Sequence, residues 1–463
     1  MAYGVARPGS TCDGLERYSR RHRCYFRCKH LPLARYDDLR SLSGNRQSEP
    51  IARNCFNQSR PDGGLGSVTD QLPLAGIRII ELAGVGAGPF CGMMLADAGA
   101  EVIRIDRAGG LGAGVPIDGE RDVLLRSRRT ISLDLKNAAA RGIVHKLVAT
   151  ADGLIEGFRP GVMERLGLGP DLLRKANPRL VYGRMTGWGQ SGPYANLPGH
   201  DINYIAVNGA LDAIGEQGGP PIPPLNLVGD YAGGGLMLAF GMIASILSMR
   251  TTQRGRVVDC AMSEGASALL AGIWSLKHNG MWADRRGTNL LDGGAPFYAT
   301  YLTADGQFVA IGAIEERFFR RLCSLLGFEQ DREFENLYDR ANWPAIRAKL
   351  ENAFLAEPLE HFERLFDGED VCFSPVVAID DAPHHYHNVA REAFVAVDGL
   401  VQPAPVPRYE GCVPCAPYMW RENRDRDALL HEIGFSPDDV EGLSRDGAFG
   451  VPLANELARS QKL

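Results

Sequence analysis

The 463-residue sequence lacks the features that mark several protein classes. It has no run of about eighteen apolar residues, which a membrane-spanning helix needs, because the longest apolar stretch, 236–247, is broken by Gly241. No strong net charge is present, since 50 Lys and Arg stand against 56 Asp and Glu. We therefore expect neither a nucleic acid nor a membrane as a partner. Ten scattered cysteines exclude a disulfide scaffold and indicate reduced thiols.

A complete metal site is also missing. Cys24, Cys28 and His30 lack the fourth ligand that a structural zinc ion requires. Cys412 and Cys415 have the CxxC spacing, but prolines surround them and no βαβ pattern precedes them. That context favours a plain C-terminal loop over a redox centre.

Residues 1–70 differ in composition from the rest of the chain. They are rich in Arg, Ser, Asn and Gly, without a sustained hydrophobic period or the apolar run of a secretory signal. Their acidic residues do not fit a transit peptide, so we predict a poorly ordered extension. The C-terminal Gln461-Lys462-Leu463 only partly resembles the peroxisomal Ser-Lys-Leu address. A cytoplasmic location is predicted, with the peroxisome and the mitochondrion as alternatives.

From residue 71 onward the pattern predicts an α/β fold. Residues 77–82 read as a buried strand, glycines at 84, 86 and 88 as a tight turn, and residues 89–98 as a helix before a second strand at 101–106. Such a βαβ unit indicates a parallel sheet. Its turn nearly matches a dinucleotide-binding fingerprint, but Pro89 takes the place of the third glycine, which disfavours a nicotinamide cofactor. A bound anion at the helix start is the alternative.

The chain is long enough for two domains. A β-hairpin is predicted at 299–302 and 307–311, around Asp305-Gly306, in the company of helices. The predicted order is a Rossmann-like large domain (71–260), a linker helix and crossing segment (261–299), a smaller α+β domain (300–386), a return linker with closing helices of the large domain (387–443) and a tail (444–463).

Two segments thirty residues apart carry the candidate chemistry. GHDINY, residues 199–204, places His200 in a loop, and NLVGDYAGGG, residues 226–235, places Asp230 in a glycine-rich turn that opens an apolar helix. Taken singly, these residues are a loop histidine and a helix cap. Taken together, they predict a two-base proton-transfer site, because imidazole titrates near working pH and burial can tune a carboxylate to join it.

Basic residues are frequent between positions 104 and 136. They include Arg104, Arg107, Arg126, Arg128, Arg129 and Lys136. They form either a solvated charged face or a clamp for a polyphosphate. Spacing alone leaves both interpretations open.

Several long motifs, in the same order, resemble the family III CoA-transferases of the CaiB/BaiF type. They are PLAGIRIIEL at 73–82 with Gly88-Pro89, VIRIDR at 102–107, RPG at 159–161 and GWGQ at 187–190. GHDINY, NLVGD at 226–230, NLLDGGAPFY at 289–298 and GAIE at 312–315 are similar to the α-methylacyl-CoA racemase branch of that family. The resemblance extends over residues 72–443, although Leu290 stands where racemases often have Met.

This resemblance implies a homodimer of interlocked chains. Each active site would lie between the large domain of one chain and the small domain of the other. The implied substrate is a 2-methyl-branched acyl-CoA thioester, racemised by proton transfer through an enolate. No cofactor is implied, because CoA is part of the substrate.

The resemblance also assigns roles to residues. His200 and Asp230 become the catalytic bases, Glu315 a carboxylate that orients His200, and Asp201 and Asn226 supporting groups. The Asp201 N–H is the candidate donor to the enolate oxygen, which must be stabilised as it forms. The implied CoA contacts are Arg104, Arg107, Leu133, Asp134, Leu135, Lys136, Arg159, Gly187, Gly199 and Tyr204.

Two other functions stay open. A family III CoA-transferase would use Asp230 as a nucleophile, but such enzymes usually carry an aromatic residue where this chain has His200. A non-catalytic CoA-ester-binding protein would not need the His200–Asp230 pair. His200 therefore favours the racemase over the transferase, and the His200–Asp230 pair favours it over the binding protein.

Overall fold

A computed structural model describes residues 71–110, 117–412 and 416–450. The predicted extension 1–70, with the Cys24–Cys28–His30 group, lies outside the described residues. So do most of the Cys412–Cys415 loop and the C-terminal residues 451–463.

Six parallel strands form the central sheet and confirm the predicted α/β class. Their bounds are β1 Arg78–Leu82, β2 Glu101–Arg107, β3 Arg128–Leu133, β4 Gly153–Glu156, β5 Val181–Thr186 and β6 Val257–Ala261. The strands lie in the order β3-β2-β1-β4-β5-β6, so chain order reverses between β1 and β4. In open α/β sheets, ligands bind in the crevice outside the carboxyl ends of the strands at this reversal.

Helices pack on both faces of this sheet. The helices of this part of the chain are α1 Ala87–Asp97, α2 Ala138–Ala149, α3 Val162–Arg165, α4 Pro170–Ala176, α5 Asp201–Val207, α6 Ala210–Ala213, α7 Met237–Thr252, α8 Met262–Leu269 and α9 Ala271–His278. Ile80 packs in a buried cluster with α2, and its neighbour Ile79 packs in another with α1 and α7. Buried strands with apolar residues on both faces are typical of a parallel sheet.

The segment that carries Asp230 is helical, whereas the sequence suggested a turn. Residues Leu227–Leu236 form a π-helix that continues directly into α7. Glycines permit its close approach to other helices: a Cβ on Gly233 would lie 2.6 Å from the Ala266 backbone nitrogen, and one on Gly235 would lie 2.6 Å from the Ala87 carbonyl oxygen. The glycines therefore serve packing rather than a chain reversal. By length and composition Leu227–Thr252 could cross a membrane, but half of it is buried within this fold.

A second, antiparallel sheet follows and confirms the predicted hairpin. It consists of β7 Tyr298–Leu302, β8 Phe308–Gly312 and β9 Phe373–Pro375, with helices α10 Glu316–Leu325, α11 Trp343–Ala356 and α12 Leu359–Leu365. Gly306 turns the hairpin with a φ of +80°, in the left-handed region that favours glycine. This layer has its own core, in which the Phe297 ring packs edge-on against the rings of Phe319 and Trp343.

The chain then returns to the first sheet. The returning elements are α13 Tyr386–Ala390, β10 Phe394–Val397, β11 Leu400–Pro403, α14 Arg426–Glu432 and α15 Pro437–Arg445. Side chains of the segment before α14 satisfy the free edge of β3: Asp425 accepts from the Thr130 N–H at 3.1 Å, and Asn423 accepts from the Ser132 N–H at 2.7 Å. Covered edges do not pair with other chains. The domain boundaries drawn from the sequence stay a prediction.

A buried charge network ties the inner strands together. The Glu81 carboxylate, with no exposed surface, accepts from the guanidinium groups of Arg104 and Arg128. Arg104 also donates to Asp106 at 2.7 Å, and Asp106 accepts from the Trp420 indole at 2.9 Å. Charges this deep are tolerated only when every partner is present.

We predict that Glu81→Gln lowers the free energy of unfolding by about 3–5 kcal/mol, because two buried guanidinium groups lose their counter-charge. The measurement is urea denaturation followed by circular dichroism. Glu360→Gln is the matched control: the Glu360–Arg364 pair is exposed on α12, and its loss should cost about 0.5 kcal/mol or less. Equal effects of the two substitutions would contradict the importance of the buried network.

Candidate active site

His200 immediately precedes α5 and is exposed. Its backbone is extended, with φ −129° and ψ 176°, and its N–H donates to the Asn203 side chain at 3.0 Å. This bond holds the residue before the helix in place, as a cap does. The imidazole is thus carried on a fixed backbone but remains open to solvent.

Asp230 lies in the π-helical segment, half-buried. Its carboxylate accepts from the Asn226 side-chain amide at 3.3 Å, one turn earlier in the same segment. π-Helical turns are rare and occur frequently at functional sites. The bond orients the carboxylate and favours its charged form.

One hydrogen bond joins the two halves of the site. The Asp230 N–H donates to the Asp201 carboxylate at 2.7 Å, across 29 residues of sequence. A Cβ on Gly229 would lie 2.6 Å from the same carboxylate oxygen, so only glycine admits this contact. The other Asp201 oxygen is buried and has no partner among the described residues. The structure therefore brings His200, Asp201, Asn226 and Asp230 together, as the sequence predicts.

The pKa of Asp230 is raised above its ordinary value. Burial is the largest cause, since it disfavours the charged carboxylate, and the negative charge of Asp201 acts in the same direction. The hydrogen bond from Asn226 and the charge of His200 oppose the shift. A carboxyl group tuned in this way can hold a proton at a pH where a solvated Asp is ionised.

Gly86 is a further neighbour of Asp230 that the sequence analysis did not assign to the site. It follows β1 with a φ of +64°, and a Cβ there would lie 2.8 Å from a carboxylate oxygen of Asp230. The sequence could have indicated this role, because Gly86 follows β1 at the carboxyl edge of the sheet, beside the reversal of strand order where ligands bind in such folds. The Asp230 carboxylate therefore lies close to the residue that precedes α1.

The predicted contacts Gly187, Gly199 and Tyr204 lie together beside His200. A Cβ on Gly187 would lie 2.1 Å from the Tyr204 ring, and one on Gly199 would lie 2.7 Å from it. Burial raises the pKa of the Tyr204 phenol to about 12, with the charge of Asp230 adding to the shift and that of Arg159 opposing it. These glycines accommodate an aromatic ring of the protein.

The side chains of Arg104 and Leu133, two of the predicted CoA contacts, lie in the core. Arg104 is 2% exposed and committed to Glu81 and Asp106. Leu133 is fully buried within the sheet cluster. Strand periodicity could have indicated this, because both positions lie within buried strands.

The other predicted CoA contacts lie where parallel strands end. Arg107 ends β2 opposite Leu133 of β3, and Lys136 follows three residues after that strand. Arg159 follows β4, and all three cations are exposed and form no ion pair with another described residue. Between these positions, the Asp134 N–H donates to the Ala448 carbonyl at 2.9 Å and Leu135 packs on the core. The exposed cations define a basic rim at the carboxyl edge of the sheet.

Glu315 lies apart from this group within the described chain. It is exposed and precedes α10 in the second layer. No hydrogen bond joins it to His200 in the part of the chain that the structure describes. Its predicted role is therefore not fulfilled by the fold of one chain.

Comparisons with known proteins agree with this arrangement. The sequence model of CoA-transferase family III matches residues 74–417. The chain is 42% identical over 380 residues to the alpha-methylacyl-CoA racemase of Mus musculus, with 81% of this chain and 97% of that protein covered. It is 41% identical over 379 residues to the alpha-methylacyl-CoA racemase of Homo sapiens, again with 81% of this chain and 97% of that protein covered. The crystal structure of a CAIB/BAIF family protein from Brucella suis is similar, with a TM-score of 0.67 at 26% identity, covering 79% of this chain and 100% of that one.

We predict opposite changes in the pKa of Asp230 when its neighbours are altered. Asp201→Asn removes a negative charge and should lower that pKa, whereas Asn226→Ala removes a hydrogen bond to the charged form and should raise it. The measurement is a titration by carbon NMR of protein labelled at aspartate carboxyl groups. The signal is assigned by its loss in Asp230→Asn. Shifts in the same direction would contradict the described environment.

Proposed function

The chain belongs to CoA-transferase family III, and we propose that it is an isomerase that interconverts the R and S forms of 2-methylacyl-CoA thioesters. The observation that supports this most directly is the hydrogen bond that holds Asp230, a carboxyl group with a raised pKa, against Asp201, the residue directly after His200. Racemisation needs one group to remove the α-proton and a second, on the opposite face, to return one. An imidazole and a tuned carboxyl group meet that need.

In one direction, the neutral imidazole of His200 removes the α-proton, and the electron pair moves into the thioester carbonyl to form an enolate. The protonated Asp230 then donates its proton to the opposite face of the α-carbon. For the other enantiomer the roles are exchanged. The raised pKa of Asp230 keeps the proton available, and the Asn226 amide stabilises the carboxylate that forms when the proton is donated.

The enolate oxygen needs a hydrogen-bond donor, because the α-proton of a thioester is only weakly acidic. Asp201 begins α5, so its N–H has no acceptor within the helix. We assign this N–H to the thioester oxygen. The Asp201 side chain meanwhile accepts from Asp230, so a single residue contacts both the substrate oxygen and the second base.

The basic rim formed by Arg107, Lys136 and Arg159 is assigned to the phosphates of CoA. Cations at the carboxyl edge of the sheet lie on the side where ligands of such folds bind, and Arg and Lys are the usual phosphate partners. CoA enters as part of the substrate, and the proton transfers require no separate cofactor.

The active enzyme is a homodimer whose sites are shared between chains. An apolar stripe, defined by Leu236, Phe240, Ile243 and Leu247, recurs at helical spacing on one face and is exposed, with Phe240 at 71%. Stripes of this kind mark protein interfaces. A second copy would cover the stripe and bring its Glu315 to His200, which the same chain does not do.

The test of the reaction is α-proton exchange in heavy water. A single-enantiomer 2-methylacyl-CoA is incubated without an acceptor acid, and deuterium content and configuration are measured. We expect deuterium uptake with epimerisation in the wild type, and epimerisation should be lost in both His200→Ala and Asp230→Ala. No exchange, but CoA transfer once an acceptor acid is added, would overturn the racemase and leave Asp230 as a nucleophile.

The test of the shared site is complementation between two inactive variants, His200→Ala and Glu315→Ala. Each mixed dimer holds one intact site and one site that lacks both groups, so purified mixed dimers should have about half of the wild-type activity. The variants are co-expressed with different tags and mixed dimers are purified. Mixed dimers without activity would contradict a site built from two chains.

A further inference from the structure

Tyr204 makes a contact that neither proton transfer nor CoA binding explains. Its hydroxyl donates to the carbonyl of Gly199, the residue immediately before His200. The side chain is 7% exposed, so the ring is nearly enclosed. The hydroxyl thus bonds back, across five residues, onto the backbone that carries the candidate base.

The ring is held from several sides. Gly187, which directly follows β5, leaves space that a Cβ would fill at 2.1 Å from the ring. The Trp188 indole meets the ring edge-on, with centroids 4.9 Å apart and an interplanar angle of 86°. Gly199 closes the other side, since its Cβ would lie 2.7 Å from the ring and 3.2 Å from Trp188. Tyr204 therefore connects the His200 backbone with the end of a central strand.

From this geometry we infer that Tyr204 is a positioning residue for His200, acting through the Gly199 carbonyl; this inference rests on the proposed function. A base held on an exposed loop would sample many orientations, whereas proton transfer needs a fixed one. The contact restrains the peptide before His200 and transfers the rigidity of β5 to it. The pKa of the Tyr204 phenol, about 12, keeps the hydroxyl protonated at working pH, so that it remains a hydrogen-bond donor.

This role differs from the CoA contact that the family resemblance implies for Tyr204. Loss of a CoA contact would raise KM and leave kcat unchanged, because such a contact stabilises the bound substrate and the transition state equally. A positioning residue affects the chemical step and leaves ground-state binding unchanged. The two roles are therefore separable by kinetics.

The experiment compares Tyr204→Phe with Tyr182→Phe, using purified full-length enzyme and a 2-methylacyl-CoA of one configuration. Both substitutions remove a hydroxyl that donates to a backbone carbonyl, since Tyr182, a buried residue of β5, donates to the Leu168 carbonyl at 3.0 Å. For Tyr204→Phe we expect kcat to fall by roughly tenfold or more with KM within about twofold of wild type. Tyr182→Phe should lower the melting temperature and leave kcat unchanged.

Three results would overturn the inference. The first is an unchanged kcat in Tyr204→Phe, and the second is a raised KM with normal kcat in the same variant. The third is a loss of kcat in both Tyr204→Phe and Tyr182→Phe that follows the fall in the melting temperature of each variant. Absence of epimerisation in the wild type would instead count against the proposed function. The two failures are thus distinguishable.

Discussion

The hydrogen bond from the Asp230 N–H to the Asp201 carboxylate is the contact on which the candidate site depends. It joins the start of α5 to the π-helical segment, and these two elements carry the two proposed bases. Gly229 makes the contact possible, because any side chain there would displace the carboxylate. The same carboxylate contributes to the raised pKa of Asp230. One short contact thus fixes the position of the second base and places beside it a charge that, together with burial, raises its pKa.

The surrounding fold supplies rigidity to this junction. Gly86 at the end of β1 lies against the Asp230 carboxylate, and Gly187 at the end of β5 lies against Tyr204. Both glycines belong to the carboxyl edge of the parallel sheet, where loops are anchored by buried strands. Catalytic geometry of this kind is held better by strand ends than by long loops. The buried Glu81–Arg104–Arg128 network, further inside, binds these strands to one another.

Much of this arrangement could be predicted from the sequence. Apolar runs separated by glycine turns indicated the parallel sheet, and two motifs indicated His200 and Asp230. The burial of the Arg104 and Leu133 side chains was not foreseen, because charge and spacing do not distinguish a buried ion pair from an exposed clamp. The π-helix was also missed, since its cause is the packing of Gly233 and Gly235 against distant helices. Local sequence patterns do not contain such tertiary contacts.

The central claim is that His200 and Asp230 serve opposite faces of the substrate. The most direct measurement is α-proton washout from each enantiomer separately, in enzymes that retain only one base. His200→Gln should lose washout from one enantiomer and keep it from the other, and Asp230→Asn should show the reverse. Loss of washout from the same enantiomer in both variants would place the two groups on one face and contradict the account.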